Sequence, residues 1–244
     1  MTEEQLASIL RDTATAVRAA LERFSGAGMS GIRPGQYELD LAADQAACEV
    51  LRSSSLAVFS EESGHSGQGE ILVVVDPVDG STNADRGIPF FCVSLCAMDA
   101  DGPLVSLVES LPTGAIYEAT RGRGATRDSM PISTSGMAVE LDAVVGVNGV
   151  LVERHSWAQV RTMGAAALEL CLVADGSLDA YVQVGGAAIH PWDYLAGMHI
   201  ALEAGGAARS QDDEELVIRR AEPRRPIVAA TASLADSLLS TLTA

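Results

Sequence analysis

Apolar positions along this chain recur with two different periods. From Thr2 to Phe24, Leu6, Ile9, Leu10, Val17 and Leu21 fall on one face of a 3.6-residue spiral, which predicts an amphipathic helix. A glycine-rich loop, "SGAGMSGIRPGQ", follows, and "LDLAADQAACEVLRS" predicts a second helix that ends before a short strand, "LAVFS". "ILVVV", residues 71–75, predicts a buried strand. From Pro89 to Glu118 the pattern turns strand-like: "FFCVSLCAM", "LVSLVES" and "AIYEAT" are separated by the turns "DADGP" and "LPTG", as in an antiparallel meander. "LDAVVGV" is a further strand.

After Arg161 helices return. "GAAALELCLVADG" and "WDYLAGMHIALEAGG" read as helices stopped by glycine, "SLDAYVQV" and "PIVAA" as strands, and "ASLADSLLSTL" as a closing helix. "QDDEEL" reads as a solvated turn. Helices before and after the strands place the chain in the mixed α/β (α+β) class. No internal repeat and no low-complexity tract interrupts it.

Composition narrows the function. The 244 residues suit a single domain of two subdomains, roughly 1–150 and 151–244. A net charge of −17 argues against a nucleic-acid surface, which needs clustered cations. The same charge requires a local positive group if the substrate is anionic. All sixteen cations are Arg. Without Lys a Walker A loop and a Schiff base are both excluded. Cys48, Cys92, Cys96 and Cys171 form no CxxC pair and read as reduced core thiols. No apolar run reaches membrane-spanning length, and the acidic opening "MTEEQLASIL" is unlike a signal peptide, so a cytoplasmic protein is expected.

The candidate chemistry begins at "ILVVVDPVDGSTN", where a run of valines ends in two acids. Strand ends line clefts in α/β folds, and Pro77, lacking an N–H, is expected to turn the chain out of the ladder so that Asp79 swings back beside Asp76. Two carboxylates about 4 Å apart repel by roughly 1 kcal/mol in water and roughly 4 kcal/mol at an effective dielectric of 20. A hard divalent cation between them relieves that repulsion. Gly80-Ser81-Thr82-Asn83 reads as the start of a short helix whose free amides suit a phosphate. An ordinary Asp-Gly turn with a capping Asp is the competing reading. An EF-hand fails because its alternate ligand positions fall on Val78 and Gly80. A haloacid-dehalogenase site fails because that fold uses D-x-D and a downstream Lys.

Other acids can join. Glu61 and Glu62 follow "LAVFS" at a strand end, Asp193 opens an apolar helix, where it could equally be a cap, and Asp44 is a lone acid on an amphipathic helix. His65 reads as a loop residue and His190 as structural.

These stretches together resemble the inositol monophosphatase family. "SEES" at 60–63 is similar to its G-E-E-S element, "DPVDGSTN" at 76–83 to its D-P-I-D-G-T-T-N signature, and "WDYLAG" at 192–197 to its W-D-x-A-G. "MGAAALELCLVADGSLDAYV" and the acid in "LDLAAD" extend the resemblance over nearly the whole chain. It implies a layered αβαβα sandwich and two or three Mg²⁺ ions. Glu61, Asp76 and the Val78 carbonyl would hold one ion, and Asp76, Asp79 and Asp193 a second. A third, weaker ion would sit near Glu61, which also counts as catalytic. Asp44 and Ser81 would orient the attacking water. The phosphate would rest on Gly80, Ser81 and Thr82, and the leaving group on Asp79, Gly164, Ala166, Gln183 and Asp193.

The resemblance further implies a small phosphorylated substrate, sensitivity to Li⁺ and a homodimer. Hydrolysis of an inositol or sugar phosphate is the expected activity. Histidinol phosphate and 3′-phosphoadenosine phosphates are same-family alternatives, and a non-catalytic metal-binding module is an alternative of another class. There are departures from the family pattern. Ser81 replaces a Thr, Ala84 stands where an aromatic is common, and Glu38-Leu39-Asp40-Leu41 replaces D-x-V-T. The segment between "VVGVNG" and "VRTMG" is short, which weakens the dimer expectation. Gln183 stands where inositol-cleaving members carry Glu, and "VGGAA" is inserted near it, which predicts blunted polyol selectivity.

Overall fold

A computed structural model of the chain describes residues 1–24, 26, 28–32, 36–152 and 155–243. Parts of the glycine-rich loop and of the shortened segment near 150 therefore lie outside the described residues. The chain runs α1 (Glu3–Arg23), α2 (Glu38–Ser53), β1 (Ala57–Ser60), β2 (Gly64–Ser66), β3 (Leu72–Asp79), α3 (Ser81–Arg86), β4 (Cys92–Asp99), β5 (Gly102–Ser110), β6 (Ile116–Thr120), β7 (Ala125–Arg127) and β8 (Met130–Ile132). After a short 3₁₀ turn it continues with β9 (Val144–Asn148), β10 (Gln159–Arg161), α4 (Ala166–Ala174), β11 (Ala180–Gln183), α5 (Pro191–Glu203), β12 (Ala207–Ser210), β13 (Pro226–Ala229) and α6 (Ala232–Leu242).

Two sheets organise these elements. The first has the order β2-β1-β3-β4-β5-β6-β7-β8, and the second β10-β9-β11-β13-β12. In the first, only the β1–β3 pair is parallel. In the second, β9 runs parallel to both β10 and β11, and β13 is antiparallel to its neighbours. The second sheet begins at Val144, so the sheets divide the chain somewhat before residue 150.

Alternation along the strands sets the layers. Val73, Val75, Leu95 and Leu107 face α1 and α2, which offer Leu6, Leu10, Val17, Ala43 and Leu51. Val74, Cys96 and Met98 face the other way, onto α4 and α5. Val145, Val147 and Val182 of the second sheet pack on Leu234 and Leu238 of α6. The order is helices, sheet, helices, sheet, helix, the αβαβα sandwich that the family resemblance implied.

Sequence explains the middle layer. α4 and α5 are apolar nearly all round, and a helix without a polar face is stable only when covered on both sides. Gly197 lets them approach closely, because a Cβ there would lie 2.6 Å from both the Ala167 carbonyl oxygen and the Leu170 Cβ. α1 is amphipathic instead, and it starts with a capping box in which the Gln5 amide donates to Thr2 Oγ1 at 3.2 Å and the Thr2 amide to Gln5 Oε1 at 2.9 Å.

The short pieces β2, β7, β8, β10 and β12 are additions to the sequence reading. Pro77 is a correction to it: the proline does not take the chain out of the ladder, and β3 runs on to Asp79 through a bulge.

Candidate active site

The bulge decides where the two acids point. Asp76 pairs with Ser94 of β4 and Asp79 with Cys92, with a register shift between them. Two residues of β3, Pro77 and Val78, thus oppose the single Val93. Ser94 and Cys92 share a face, so Asp76 and Asp79 share it too, although an odd spacing in a regular strand would separate them. That face meets the N-termini of α4 and α5. The Val78 amide donates to Asp76 Oδ1 at 3.0 Å and pins the bulge from within.

Three acids converge here. Glu61, Asp76 and Asp193 each offer a carboxylate oxygen, and the three oxygens lie within 4.8 Å of one another. Glu61 follows β1, whose parallel pairing with β3 brings the two strand ends together. Asp193 sits in the first turn of α5, where its Oδ2 accepts the His190 amide at 2.7 Å, so the capping reading and the cluster reading both hold for it. Asp79 stands beside this trio rather than within it. Its Oδ2 accepts the Ala167 amide at 2.7 Å, at the start of α4.

The electrostatics follow from burial and crowding. Burial pushes Glu61 up to about 8, helped by the charges of Asp193, Glu62 and Asp40. Asp193 rises to about 8, by burial and then by Asp79. Asp79 rises to about 7, by burial against the opposing pull of the Ala167 amide. Asp76, only 2% exposed, is raised by burial first and then by Glu61, Asp79 and Asp193. Burial and mutual repulsion thus both favour the protonated forms of these carboxyls, a bias that a bound cation would reverse. An all-oxygen acidic set of this kind fits a hard divalent ion rather than a soft one.

Asp44 is buried at the edge of this cluster. Its Oδ1 accepts from the hydroxyl of Ser60, from Ser63 Oγ at 3.2 Å and from Cys48 Sγ at 3.5 Å. Among the described residues Asp44 and Ser81 share no hydrogen bond. Asp40, absent from the sequence-based set, is buried, takes the Tyr37 amide on Oδ2 at 2.8 Å and adds its field to Glu61. His65 belongs to β2 rather than to a loop, and its ring stacks on Phe59 at 4.1 Å. His190 caps α5 and stacks on Trp192 at 4.8 Å.

The turn after Asp79 is tightly specified. Gly80 has φ +89°, and a Cβ there would sit 3.0 Å from the Gly164 carbonyl oxygen and 3.1 Å from the Ala165 Cβ, so no other residue fits without strain. Ser81, Thr82 and Asn83 open α3. Thr82 Oγ1 lies 3.2 Å from the Tyr37 hydroxyl. Asn83 Nδ2 donates to the carbonyls of Phe90 at 2.7 Å and Met163 at 2.8 Å, tying this turn to the segment that leads into α4.

A cleft of about 210 Å³ opens beside the cluster, and Asp79, Gly164, Ala166 and Asp193 line it. Gln183 does not. It is 1% exposed, and its Oε1 accepts Asn148 Nδ2 at 2.7 Å, so Asn148 presents itself to the cleft while Gln183 stands behind it. Sequence reasoning also missed Glu169, a wall residue 2% exposed. Its Oε1 accepts the amides of Met163 at 3.1 Å and Gly164 at 3.0 Å, and burial pushes the carboxyl up to about 7. A signal was present, since an acid inside the apolar run "AALELCLVA" has no polar face to occupy.

The model of the inositol monophosphatase family matches residues 35–244. The chain belongs to the inositol monophosphatase family. A relative from Archaeoglobus fulgidus named fructose-1,6-bisphosphatase/inositol-1-monophosphatase is 35% identical, with 98% of each chain covered. A protein of Pasteurella multocida named Nus factor SuhB is 32% identical over 69% of this chain and 68% of its own. The solved inositol monophosphatase of Anabaena superposes with a TM-score of 0.81 at 28% identity, covering 98% of this chain and 95% of that one. Membership in this generally metal-dependent family, with relatives so named, supports a phosphatase acting on sugar phosphates.

Proposed function

We propose that this inositol monophosphatase family member is a Mg²⁺-dependent hydrolase of small phosphomonoesters, an inositol or sugar phosphate being the typical substrate. The observation that carries the reading is the convergence of Glu61, Asp76 and Asp193 within 4.8 Å, beside a cleft of one-sugar size. Glu61, Asp76, the Val78 carbonyl, Asp79 and Asp193 would hold two or three ions. Ions held there would neutralise the carboxylates, acidify a water and polarise the phosphoryl oxygens.

The chain's own groups do the rest. Gly80, Ser81 and Thr82 cradle the phosphate, on amides that the first turn of a helix leaves unpaired. Asp44, steadied by Ser60 and Ser63, accepts a proton from the attacking water, which Ser81 helps to orient. The leaving group lies in the cleft against Gly164 and Ala166. Every acid that the family resemblance assigns to the metals and the attacking water, Asp44, Glu61, Asp76, Asp79 and Asp193, is present, which favours catalysis over a purely structural role.

The test is phosphate release from a panel of phosphomonoesters in Mg²⁺ and in excess chelator. Turnover that disappears with chelator supports the reading. Turnover that survives it removes the metal from the reaction. No release from any of inositol 1-phosphate, glycerol 2-phosphate, histidinol phosphate, fructose 1,6-bisphosphate and 3′-phosphoadenosine 5′-phosphate would leave a non-catalytic interaction module as the better account.

A further inference from the structure

Asp79 takes its position from two places in the chain. Its main chain ends β3, and its Oδ2 accepts the Ala167 amide at 2.7 Å, from the first turn of α4. The two residues are 88 positions apart, so this hydrogen bond requires the turn after β3 and the entry to α4 to keep a fixed spacing. Carboxylates that ligate metals are ordinarily oriented by hydrogen bonds of their own, and the affinity of the site depends on them.

Asn83 holds that spacing. Both N–H groups of its side-chain amide are spent, one on the Phe90 carbonyl at 2.7 Å and one on the Met163 carbonyl at 2.8 Å. The Phe90 oxygen lies beside the turn, 3.2 Å from where a Cβ on Gly80 would stand. Met163 is gripped from two sides, since its carbonyl accepts from Asn83 while its amide donates to Glu169 Oε1 at 3.1 Å. Gly164 gives the clamp room, because a Cβ there would come within 3.2 Å of Asn83 Nδ2. The main-chain carbonyl of Asn83 accepts the Ile88 amide at 2.8 Å and closes α3 behind the side chain. One side-chain amide thus joins the turn after β3, the approach to β4 and the approach to α4.

We propose that Asn83 is a positioning residue for the metal centre: it fixes the turn after β3 against the entry to α4, and through the Ala167 amide it aims Asp79 at the ions. Its own N–H groups are taken by carbonyls, so it acts through Asp79 rather than on an ion. Removing the side-chain amide takes a donor from two carbonyls and lets the segment from Met163 to Ala167 shift. Asp79 then loses its anchor, and metal affinity falls. The inference rests on the phosphatase reading above, in which Asp79 is a metal ligand. Wild-type protein that neither binds Mg²⁺ nor turns over sinks that reading, whereas Mg²⁺ binding indifferent to Asn83 sinks only this one.

The experiment titrates metal-stripped protein with Mg²⁺ by calorimetry, records melting temperatures, and follows the Mg²⁺ dependence of phosphate release from inositol 1-phosphate. It compares the wild type with Asn83→Ala, Asn83→Ser and Leu238→Ala. Leu238 of α6 is fully buried against the second sheet, so its truncation destabilises the fold without touching the site. Asn83→Ala should weaken Mg²⁺ binding about tenfold, the lower end of the loss seen when a group that orients a metal ligand is removed. At saturating Mg²⁺ its kcat should return close to the wild-type value, because the loss lies in binding. Asn83→Ser keeps one hydroxyl donor and should fall between the two, even if Asn83→Ala folds poorly. Leu238→Ala should melt lower with its Mg²⁺ affinity unchanged. In an Asp79→Asn background Asn83→Ala should cost nothing further, since the carboxylate it aims is gone. Mg²⁺ affinity unchanged in both Asn83 variants, a kcat that stays depressed at saturating Mg²⁺, or losses that add in the Asp79→Asn background would overturn the proposal. An equal loss of Mg²⁺ affinity in Leu238→Ala would overturn it as well, marking Asn83 as purely structural.

Discussion

Asp76 and Asp79 project from the same face of β3, opposite Ser94 and Cys92, because the bulge at Pro77-Val78 absorbs the odd residue between them. The spacing D-P-x-D is therefore the sequence form of a backbone device. The proline sits where the ladder is already irregular, so its missing N–H costs no regular strand hydrogen bond. The valines on either side, Val75 and Val78, stay in the core and hold the irregularity in place.

Asp76→Asn tests this arrangement directly. Asp76 has Glu61, Asp79 and Asp193 as charged neighbours, and its amide replacement should lower kcat/KM by roughly 10²–10³-fold or more, the scale of a lost preorganised electrostatic contact. In metal-free protein above pH 8 the variant should melt above the wild type, since one repelling carboxylate is gone. Ser81→Ala should cost less, about 10²-fold at most, as for a lost proton-transfer partner. Steady-state kinetics with thermal melts checks all three. A larger loss from Ser81→Ala than from Asp76→Asn would reverse the roles assigned to them.

The raised carboxyls predict a pH signature. Glu61 moves from 4.5 to about 8, Asp193 from 3.8 to about 8 and Asp79 from 3.8 to about 7. The folded metal-free protein therefore binds more protons than the unfolded chain between about pH 4 and 8. Stability is then fully present below the lower values and is lost as pH rises through the upper ones. The melting temperature in chelator should fall steadily from pH 5 to pH 8.5, and saturating Mg²⁺ should flatten that slope. Calorimetric titration with Mg²⁺ at pH 7 should release protons in buffers of differing ionisation enthalpy. A pH-independent melting temperature in chelator would contradict the assignment.

Much of this was legible in the sequence, and the reasons are physical. Period and punctuation located α1, α2, the meander and the three later helices, since each has either one apolar stripe or none that could face water. The acids Glu61, Asp76 and Asp193 stood out because carboxylates at the ends of apolar runs require a partner. The bulge was illegible, because a proline can leave a ladder or interrupt it and local sequence does not distinguish the two. Glu169 left a signal, an acid within an apolar run, but the withdrawal of Gln183 behind Asn148 was hidden, because it depends on β9 lying beside β11, a contact between segments about 35 residues apart. Strands of three residues, such as β7 and β8, are too short to show a period.

The packing of the middle layer yields a stability prediction independent of the chemistry. Gly197 faces α4, and an added Cβ would overlap the Ala167 carbonyl oxygen and the Leu170 Cβ, both at 2.6 Å. Neither is the far end of a flexible chain, so the helices must move apart. Gly197→Ala should destabilise by about 1–3 kcal/mol, as overpacking of a dense core does, despite the better helix propensity of Ala. Gly114, where nothing lies within 4 Å, serves as a control for added volume, with its φ of +74° as the only source of strain. Denaturant melts of the metal-loaded protein read the difference, and a stabilised Gly197→Ala would mean that the helices are not in close contact.

Asp44 supplies the last prediction. Its Oδ1 gathers donors from Ser60, Ser63 and Cys48, leaving Oδ2 as the oxygen with no recorded partner among the described residues. If Asp44 serves the attacking water, it does so through that second oxygen, with Ser60 fixing its orientation from the end of β1. Asp44→Asn should then lower kcat by about 10²-fold with KM little changed, because the amide keeps the shape but cannot take a proton. Ser60→Ala removes one hydrogen bond to a charged group, which should cost about 1.5–3 kcal/mol of stability. Its kinetic effect should be smaller than that of Asp44→Asn and should vanish in the double variant, since an orienting group has nothing left to orient. Additive losses in kcat would show that Ser60 acts on the reaction by a route other than Asp44, and an unchanged kcat in Asp44→Asn would take that carboxylate out of the water's path.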